Sequence, residues 1–369
     1  LCAMPLASPT QSGSAISAAH MQLLRGVSRS FFLSIRLLPA PLRAPVAVGY
    51  LLARATDTVA DTTAMPQPER QALLAALLQA IEAPADQLEP LKAALAALLA
   101  GFAAQQSDPN ERALMQALPN CLPLLHHLTH DDLASVRTVL GPITQGQSLD
   151  VQRFGLAGGA SPQSLHTEAE LTHYTWLVAG CVGEFWTELC ARHLPNFASL
   201  PTHEMQNLGR QYGMGLQRLN ILRDAAADLA QGRCYLPSER LAAIGLSPTT
   251  LAQAARTGDA QRLAQLMPLH SEYLQQIQTQ LQGGLRYSCA LKGRRLRLAS
   301  ALPALIGTRT VALLQQAGPQ ALAWPAQQSI KMPRHEVSAL LWRLLLGRVS
   351  AHVLMREFER LSQCENPQP

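Results

Sequence analysis

The sequence predicts an all-α protein, and three features of its pattern support this. Alanine and leucine dominate a chain of 369 residues, of which 48% are hydrophobic and 15% are charged. Apolar residues recur at helical spacing from about residue 17 to about residue 362. No alternating strand pattern and no Asn-Gly hairpin signal interrupts that spacing. A chain of this length and hydrophobic content can bury a large core.

The ends of the chain differ from its helical centre. Residues 1–15 are rich in Ser, Ala and Pro, and they lack the basic start and apolar centre of a signal peptide. We predict a disordered lead over 1–15, a single all-helical domain over 16–362, and a disordered tail over 363–369. Breaks rich in proline or glycine divide the helical domain. They fall at residues 39–45, Pro66, Pro84, 108–111, 155–162, 195–201 and from Pro237 onward.

The charge distribution predicts what kind of partner the protein binds, and the cysteine pattern predicts its cellular compartment. The net charge of +5 is carried by arginine, without the long basic stripe and interleaved aromatic residues that nucleic-acid binding needs. We therefore predict a small anionic partner and no nucleic acid. The seven cysteines show no CxxC or Cys/His metal spacing, which is typical of reduced thiols in a cytosol. A cytoplasmic protein is predicted.

No segment predicts a transmembrane anchor. The longest apolar stretch, 93–104, is too short to span a bilayer, and Arg343 and Arg348 interrupt the late run 337–349. The segment 338–347 can lie on a membrane surface through Trp342 and its leucines. A terminal core helix is the favoured interpretation of that segment, with peripheral membrane contact as the alternative.

The first acidic helix carries a polar stripe on an otherwise apolar surface. Pro45 suits the first position of a helix. From there Tyr50, Arg54, Asp57 and Asp61 follow at steps of four, three and four, so all four share one face. The residues beside this stripe are mostly Val and Leu, the types found in a core. The pattern predicts the polar wall of a pocket.

A second acidic helix repeats this plan far downstream. Gln217, Asn220, Asp224 and Asp228 step by three, four and four, with Arg223 alongside. For either helix alone, an Asp pair held by arginines on the surface is the simpler interpretation. Two such stripes on buried-looking helices instead predict a shared cavity, because unpaired buried carboxylates are costly. Carboxylates can hold Mg²⁺ there while arginines hold a diphosphate, which indicates metal-assisted chemistry on a phosphorylated, apolar substrate.

Five motifs in register resemble the squalene and phytoene synthase family. The likeness runs from about Gln22 to Pro303 and continues more weakly to about Arg348. The motifs are Ser28-Arg-Ser-Phe31, Tyr50-Leu-Leu-Ala-Arg54-Ala-Thr-Asp57-Thr-Val-Ala-Asp61, Tyr174-Thr-Trp-Leu-Val-Ala-Gly180-Cys-Val-Gly183, Gln217-Arg-Leu-Asn220-Ile-Leu-Arg-Asp224-Ala-Ala-Ala-Asp228 and Gly232-Arg-Cys-Tyr-Leu-Pro237.

The resemblance implies the isoprenoid synthase fold and a transferase that joins two prenyl diphosphates head to head with Mg²⁺, through a cyclopropylcarbinyl diphosphate. By position, the metal ligands implied are Asp57, Asp61, Asn220, Asp224 and Asp228. The substrate contacts implied are Ser28, Arg29, Phe31, Arg54, Gln217, Asn220, Arg223 and Arg233. Tyr50 and Tyr174 match tyrosines thought to assist proton removal or to steady cations. Gly180 and Gly183 permit either close helix packing or room for a prenyl chain.

The product remains open between several sister activities. Thr58 after the first Asp resembles the squalene-forming version of the motif, which implies farnesyl diphosphate as substrate and reduction by NADPH. Lys331 and Arg334 resemble a late basic segment implicated in NADPH binding, although Pro333 departs from it. The segment 296–303 lacks an aromatic residue that relatives often carry. Hydroxysqualene, dehydrosqualene, presqualene diphosphate and phytoene stay possible products, and a non-catalytic prenyl-diphosphate-binding subunit is the rival from another class. We predict a monomer.

Overall fold

Helices make up nearly all of the regular structure. The computed structural model describes residues 16–28, 31–156, 161–323 and 330–363. The predicted lead 1–15, most of the predicted tail 363–369, and Arg29 lie outside the described residues, as does the side chain of Phe31.

The first half of the chain forms seven α-helices, most of which begin at a predicted break. Single 3-10 turns, Ala85–Gln87 and Leu122–His127, precede α5 and α7. The helices are α1 Ala18–Ser28, α2 Phe31–Leu37, α3 Ala40–Asp61, α4 Gln67–Glu82, α5 Leu88–Ala104, α6 Pro109–Cys121 and α7 His130–Phe154.

The second half contributes ten more α-helices and two very short strands. The strands are β1 Gln163–Ser164 and β2 Arg233–Cys234, and a 3-10 turn, Gly318–Leu322, follows α15. The helices are α8 Glu168–Thr175, α9 Cys181–His193, α10 Thr202–Ala230, α11 Ser238–Ala242, α12 Pro248–Thr257, α13 Ala260–Ala264, α14 Met267–Ala290, α15 Arg294–Ala317, α16 Arg334–Leu346 and α17 Ala351–Ser362.

Capping and proline chemistry explain several helix starts. The Asp108 side chain accepts a hydrogen bond from the backbone N–H of Asn110 at 2.7 Å, and Thr129 caps α7 in the same way. The predicted start of the first acidic helix at Pro45 is wrong, because α3 begins at Ala40 and Pro45 is buried within it. Pro41 occupies the first turn instead, and the later proline removes one backbone hydrogen bond from a helix of 22 residues.

The two strands pair in parallel and join distant parts of the chain. The backbone N–H of Gln163 donates to the carbonyl of Gly232 at 2.9 Å, and that of Leu165 donates to Cys234 at 3.2 Å. Strands of two residues leave no periodic pattern in a sequence, so none was predicted. They bring Arg233 beside the start of α8. The all-α prediction is confirmed.

The core consists of two hydrophobic clusters. One is centred on α3 to α7 and includes the fully buried Leu51, Phe102 and Leu140. The other is centred on α10, α14 and α15 and includes Ile277 and Leu305. The five cysteines among the described residues are free thiols: Cys121, Cys181, Cys190, Cys234 and Cys289.

Two glycines allow α9 and α10 to pack almost backbone to backbone. A Cβ atom added to Gly183 would lie 1.9 Å from the carbonyl oxygen of Gly209. A Cβ added to Gly213 would lie 2.2 Å from the carbonyl oxygen of Ala179. No side chain fits at such distances, so the packing interpretation of the glycine-containing motif is confirmed at Gly183.

Among the described residues, one stretch is long and apolar enough to cross a membrane by length and composition. It runs over 294–322, where an 18-residue window has a mean hydropathy of 1.3 and 78% of that window is buried inside the protein. Burial of that extent is what a core helix shows.

Candidate active site

A polar cavity of about 460 Å³ lies between α3, α7, α8 and α10. The two predicted stripes meet here, since Asp57 and Asp61 of α3 face Asp224 and Asp228 of α10 across it. The remaining lining residues are Arg54, Gln147, Asp150, Tyr174, Val178, Gln217, Asn220, Ile221, Arg223, Arg233 and Tyr235.

The first acidic stripe is held by a network that reaches two other helices. Arg54 donates hydrogen bonds to Asp57 and to Glu111 of α6. Asp57 also accepts a hydrogen bond from Nε2 of Gln147 at 3.1 Å. Desolvation in the cavity and the nearby Asp61 carboxylate raise the pKa of Asp57 to about 6. Holding this carboxylate ionised therefore costs free energy that a bound cation would recover.

The second acidic stripe is bound to the first by one guanidinium. Arg233 places Nη1 3.2 Å from Oδ1 of Asp61 and Nη2 3.3 Å from Oδ1 of Asp228. Burial raises the pKa of Asp228 to about 6, although Arg233 opposes the shift. Arg223 holds Asp224 through two hydrogen bonds, from Nε at 2.9 Å and from Nη2 at 2.5 Å. Each carboxylate motif thus has an arginine partner in place.

The donor chemistry of this cavity fits Mg²⁺ bound together with a diphosphate. Carboxylate oxygens are the ligands Mg²⁺ prefers, and it usually takes one or two of them and completes its shell with water and phosphate oxygens. No three His, Cys, Asp or Glu side chains within the described ranges converge on a single ion position. The buried Nε atoms of Arg54 and Arg233 have no protein partner, so both arginines have a hydrogen-bond donor left.

Asp150 is a cavity residue that the sequence analysis missed. It lies on α7 one turn after Gln147, and its Oδ2 accepts hydrogen bonds from the hydroxyls of Tyr174 at 2.7 Å and Tyr235 at 3.0 Å. Burial raises the pKa of Asp150 to about 7. Asp150 has no second carboxylate four residues away, so it formed no polar stripe that the sequence pattern could reveal. Glu111 was missed for the same reason. The only available signal was the three-residue spacing of Gln147 and Asp150, which puts both on one helix face.

An apolar cavity of about 260 Å³ adjoins the polar one. Val178, Gln217 and Asn220 line both cavities, so the acidic site adjoins a space lined mainly by apolar side chains. A π-helical turn, Trp176–Gly180, separates α8 from α9 and carries Val178 between the two. Such turns are frequent at functional sites. Gly183 lines the apolar cavity as well as packing against α10, and its predicted role in leaving room for a prenyl chain stays a prediction.

Several predicted site residues do not line either cavity. The Ser28 hydroxyl donates to the backbone carbonyl of Leu24, and the Tyr50 hydroxyl donates to the carbonyl of Val27 at 3.4 Å. Both side chains therefore bond to the backbone of α1. Lys331 and Arg334 are exposed near the start of α16. Their predicted roles stay predictions.

Comparison with known proteins places the chain in a family. The family model for squalene/phytoene synthase matches residues 24–336. A bifunctional lycopene cyclase/phytoene synthase of Phaeosphaeria nodorum is 29% identical over 225 residues, which are 61% of this chain and 34% of the relative. A squalene synthase of Yarrowia lipolytica is 27% identical over 220 residues, or 59% and 44% of the two chains. The chain thus spans a third to a half of the length of these relatives.

The solved structure of TcSQS in complex with the ligand E5700 has the same fold. It superposes with a TM-score of 0.70 at 18% sequence identity, covering 97% of this chain and 94% of that one. At that identity the likeness concerns the fold, and it confirms the predicted isoprenoid synthase fold. Because the family model covers most of the chain, including both acidic helices and the Tyr174 motif, the protein belongs to the squalene/phytoene synthase family.

Proposed function

We propose that the protein is a Mg²⁺-dependent prenyl transferase that joins two farnesyl diphosphates head to head through presqualene diphosphate and reduces the product to squalene with NADPH. One observation carries the proposal most strongly. Two acidic helices face each other across a polar cavity, and that cavity shares part of its wall with an apolar one. A substrate with a diphosphate head and a hydrocarbon tail matches this pair of spaces.

The polar cavity would hold the diphosphate heads and the metal. Asp57, Asp61, Asp224, Asp228 and the Asn220 amide are the ligands we propose for Mg²⁺, which when bound supplies positive charge to the leaving diphosphate. The arginines Arg54, Arg223 and Arg233 now neutralise these carboxylates. These arginines would also donate to phosphate oxygens of the substrate, where fixed donors stabilise developing charge without reorganising. Gln217 adds an amide at the same wall.

The apolar cavity would protect the reactive part of the substrate. Carbocations need walls that offer no nucleophile, and Val178, Ala179 and Leu216 present only hydrocarbon there. Tyr174 lines the polar cavity together with Val178, which lines both cavities, and its hydroxyl is held by Asp150. This position supports a role for the phenol near the diphosphate end of a prenyl chain. We propose Tyr174 as the residue that takes part in proton removal.

Product analysis tests the proposed reaction. Purified protein is incubated with farnesyl diphosphate and Mg²⁺, with and without NADPH, and separately with geranylgeranyl diphosphate. We expect squalene only when NADPH is present, and presqualene diphosphate without it. A matched reaction with a metal chelator should give no diphosphate release. Metal-dependent binding without any release of diphosphate would instead indicate a non-catalytic binding subunit.

A phytoene or dehydrosqualene synthase is the second candidate. The similarity to the phytoene synthase of a bifunctional enzyme supports it, and the two residues predicted to bind NADPH, Lys331 and Arg334, do not line either cavity. This candidate would be supported if the product analysis gives phytoene from geranylgeranyl diphosphate. Dehydrosqualene formed irrespective of NADPH would support it equally. The fold and the metal chemistry proposed above would be unchanged.

We also propose that the protein works as a cytoplasmic monomer that meets its lipid substrate at a membrane surface. Trp342 and Leu346 on α16 are 67% and 79% exposed, although Leu340 and Leu344 of the same helix are buried. The exposed Arg348 follows directly after this helix. Apolar side chains beside a basic one suit the interface of an anionic membrane.

Replacing Leu346 with Glu is expected to weaken binding to anionic phosphatidylglycerol vesicles by about tenfold or more, because an inserted leucine is replaced by a charge. Co-sedimentation with vesicles measures this. Leu98→Glu is the matched control, since Leu98 is 53% exposed on α5 and should leave vesicle binding unchanged. Equal binding by all three proteins would exclude α16 as the contact.

A further inference from the structure

Asp150, Tyr174 and Tyr235 form a closed hydrogen-bonded group at the wall of the polar cavity. Both phenols donate to the same carboxylate oxygen, Oδ2 of Asp150, at 2.7 and 3.0 Å. Their rings stack with centroids 5.2 Å apart and an interplanar angle of 27°. The two tyrosines are 7% and 9% exposed, Asp150 is partly buried, and all three side chains line the polar cavity.

This arrangement differs from an ordinary structural ion pair. No arginine, lysine or histidine among the described residues forms a salt bridge with Asp150, whose hydrogen-bond partners there are two neutral phenols. The nearest guanidinium, that of Arg233, is already paired with Asp61 and Asp228. Burial raises the pKa of the Asp150 carboxyl to about 7, so the group can gain and lose a proton near neutral pH.

The direction of the hydrogen bonds decides what Tyr174 can do. The Tyr174 hydroxyl donates to Asp150 and also interacts with the Tyr235 hydroxyl, and the Tyr174 side chain lines the polar cavity where the prenyl diphosphate would lie. Burial also raises the pKa of the Tyr174 phenol well above its usual value, so a free phenolate is not accessible to act as a base. A phenol can still accept a proton if it passes its own proton on in the same step. Asp150 is the acceptor within reach.

We infer that Asp150 is the final acceptor of the proton released in prenyl coupling, and that Tyr174 relays that proton while Tyr235 holds the carboxylate in place. The inference rests on the proposed function. In this proposal Asp150 acts through Tyr174, which donates to it, and is therefore a positioning residue.

The proposed step balances without any further reagent. When the allylic cation has joined the double bond of the second prenyl diphosphate, one C–H bond of the coupled cation must break to close the cyclopropane ring. The electron pair of that bond forms the new C–C bond. The proton goes to Oη of Tyr174, and the proton already on Oη goes to Oδ2 of Asp150. The carboxylate becomes a carboxylic acid, and the phenol ends the step unchanged.

The test measures the proton-transfer step directly. Asp150→Asn keeps the size and the acceptor oxygen of the side chain and removes its ability to take a proton. We expect the substitution to lower kcat by about 10²-fold and to leave KM near the wild-type value. With farnesyl diphosphate deuterated at C1, the carbon that loses the proton, the variant should show a primary deuterium isotope effect on kcat. Asp150→Glu should recover part of kcat.

Asp132→Asn is the matched control on the same helix. Asp132 is also a buried acceptor with two partners, Arg192 at 3.0 Å and His193 at 2.7 Å, and it lies outside both cavities. Loss of a purely structural acceptor lowers stability without changing the isotope effect. We expect wild-type kcat and no isotope effect from this variant.

The outcomes separate this inference from the proposed function. If the wild-type protein forms no coupled prenyl product, the proposed function fails. If the wild type is active but Asp150→Asn retains its kcat and shows no isotope effect, the relay is overturned and the departing diphosphate is the base. Should Asp150→Asn not fold, Tyr174→Phe breaks the relay with the carboxylate retained. The same isotope effect is expected there, and its absence overturns the inference.

Discussion

Replacing Asp57 with Asn is expected to lower the turnover of prenyl diphosphate by about 10³-fold or more, which corresponds to about 4 kcal/mol of activation free energy. Asp57 is the carboxylate of the first stripe with a strongly raised pKa, and Arg54 and Gln147 hold it in the cavity. An amide keeps the shape of the side chain and loses the charge that would attract the metal. Steady-state kinetics over a range of Mg²⁺ concentrations measures the effect.

The fold of this variant should be intact. The ionised Asp57 is desolvated and repelled by Asp61, so its removal costs little stability, and the melting temperature should change by no more than a few degrees. Asp224→Asn, on the opposite acidic stripe, should lower turnover by a similar factor. Asp86→Asn, an exposed carboxylate outside both cavities, is the control and should turn over normally. Near-normal activity of Asp57→Asn at every Mg²⁺ concentration would rule out the metal-ligand role.

Gly183→Ala is expected to destabilise the protein by about 3 kcal/mol or more, because the added methyl group overlaps the backbone of α10. Its carbon would lie 1.9 Å from the carbonyl oxygen of Gly209, and rigid backbone cannot turn aside as a side chain can. The two helices would have to separate, which also opens the apolar cavity that Gly183 lines. The midpoint of urea unfolding measures the loss.

The control for this variant is Gly101→Ala. Gly101 lies exposed within α5, and a Cβ there meets no atom within 4 Å. Helix propensity alone then predicts that Gly101→Ala raises the free energy of unfolding by about 1 kcal/mol, whereas Gly183→Ala is expected to lower it. If Gly183→Ala were as stable as the wild type, close packing of α9 on α10 would not be a requirement of the fold.

The parts of this protein that were predicted correctly depend on short-range pattern. Helices follow from apolar residues at 3.6-residue spacing, and the carboxylate pairs of α3 and α10 are separated by one helical turn. Two residues one turn apart lie on the same face wherever the helix is placed. For this reason the two polar stripes could be identified, and the cost of burying four carboxylates indicated that they face each other.

Local spacing also has a limit, which Tyr50 shows. It shares a face with Arg54 by spacing, yet its hydroxyl bonds to the backbone of α1, because the packing of α1 decides what lies beside the first half of α3. The start of α3 was misplaced for a related reason. Pro39, Pro41 and Pro45 all suit a helix start, and only the packed structure shows which of them lies in the first turn.

By itself, the sequence determined the helical class and the two carboxylate stripes, because each depends on residues within a few turns of one another, and it determined the family through five motifs in a fixed order along the chain. Only the tertiary structure decided that Asp150 binds Tyr174 and Tyr235, which are 24 and 85 residues away, and that Glu111 holds Arg54 from 57 residues away. These contacts arise where separate helices pack together. Their energies come from burial and hydrogen bonding between distant segments, and no periodicity along the chain records them.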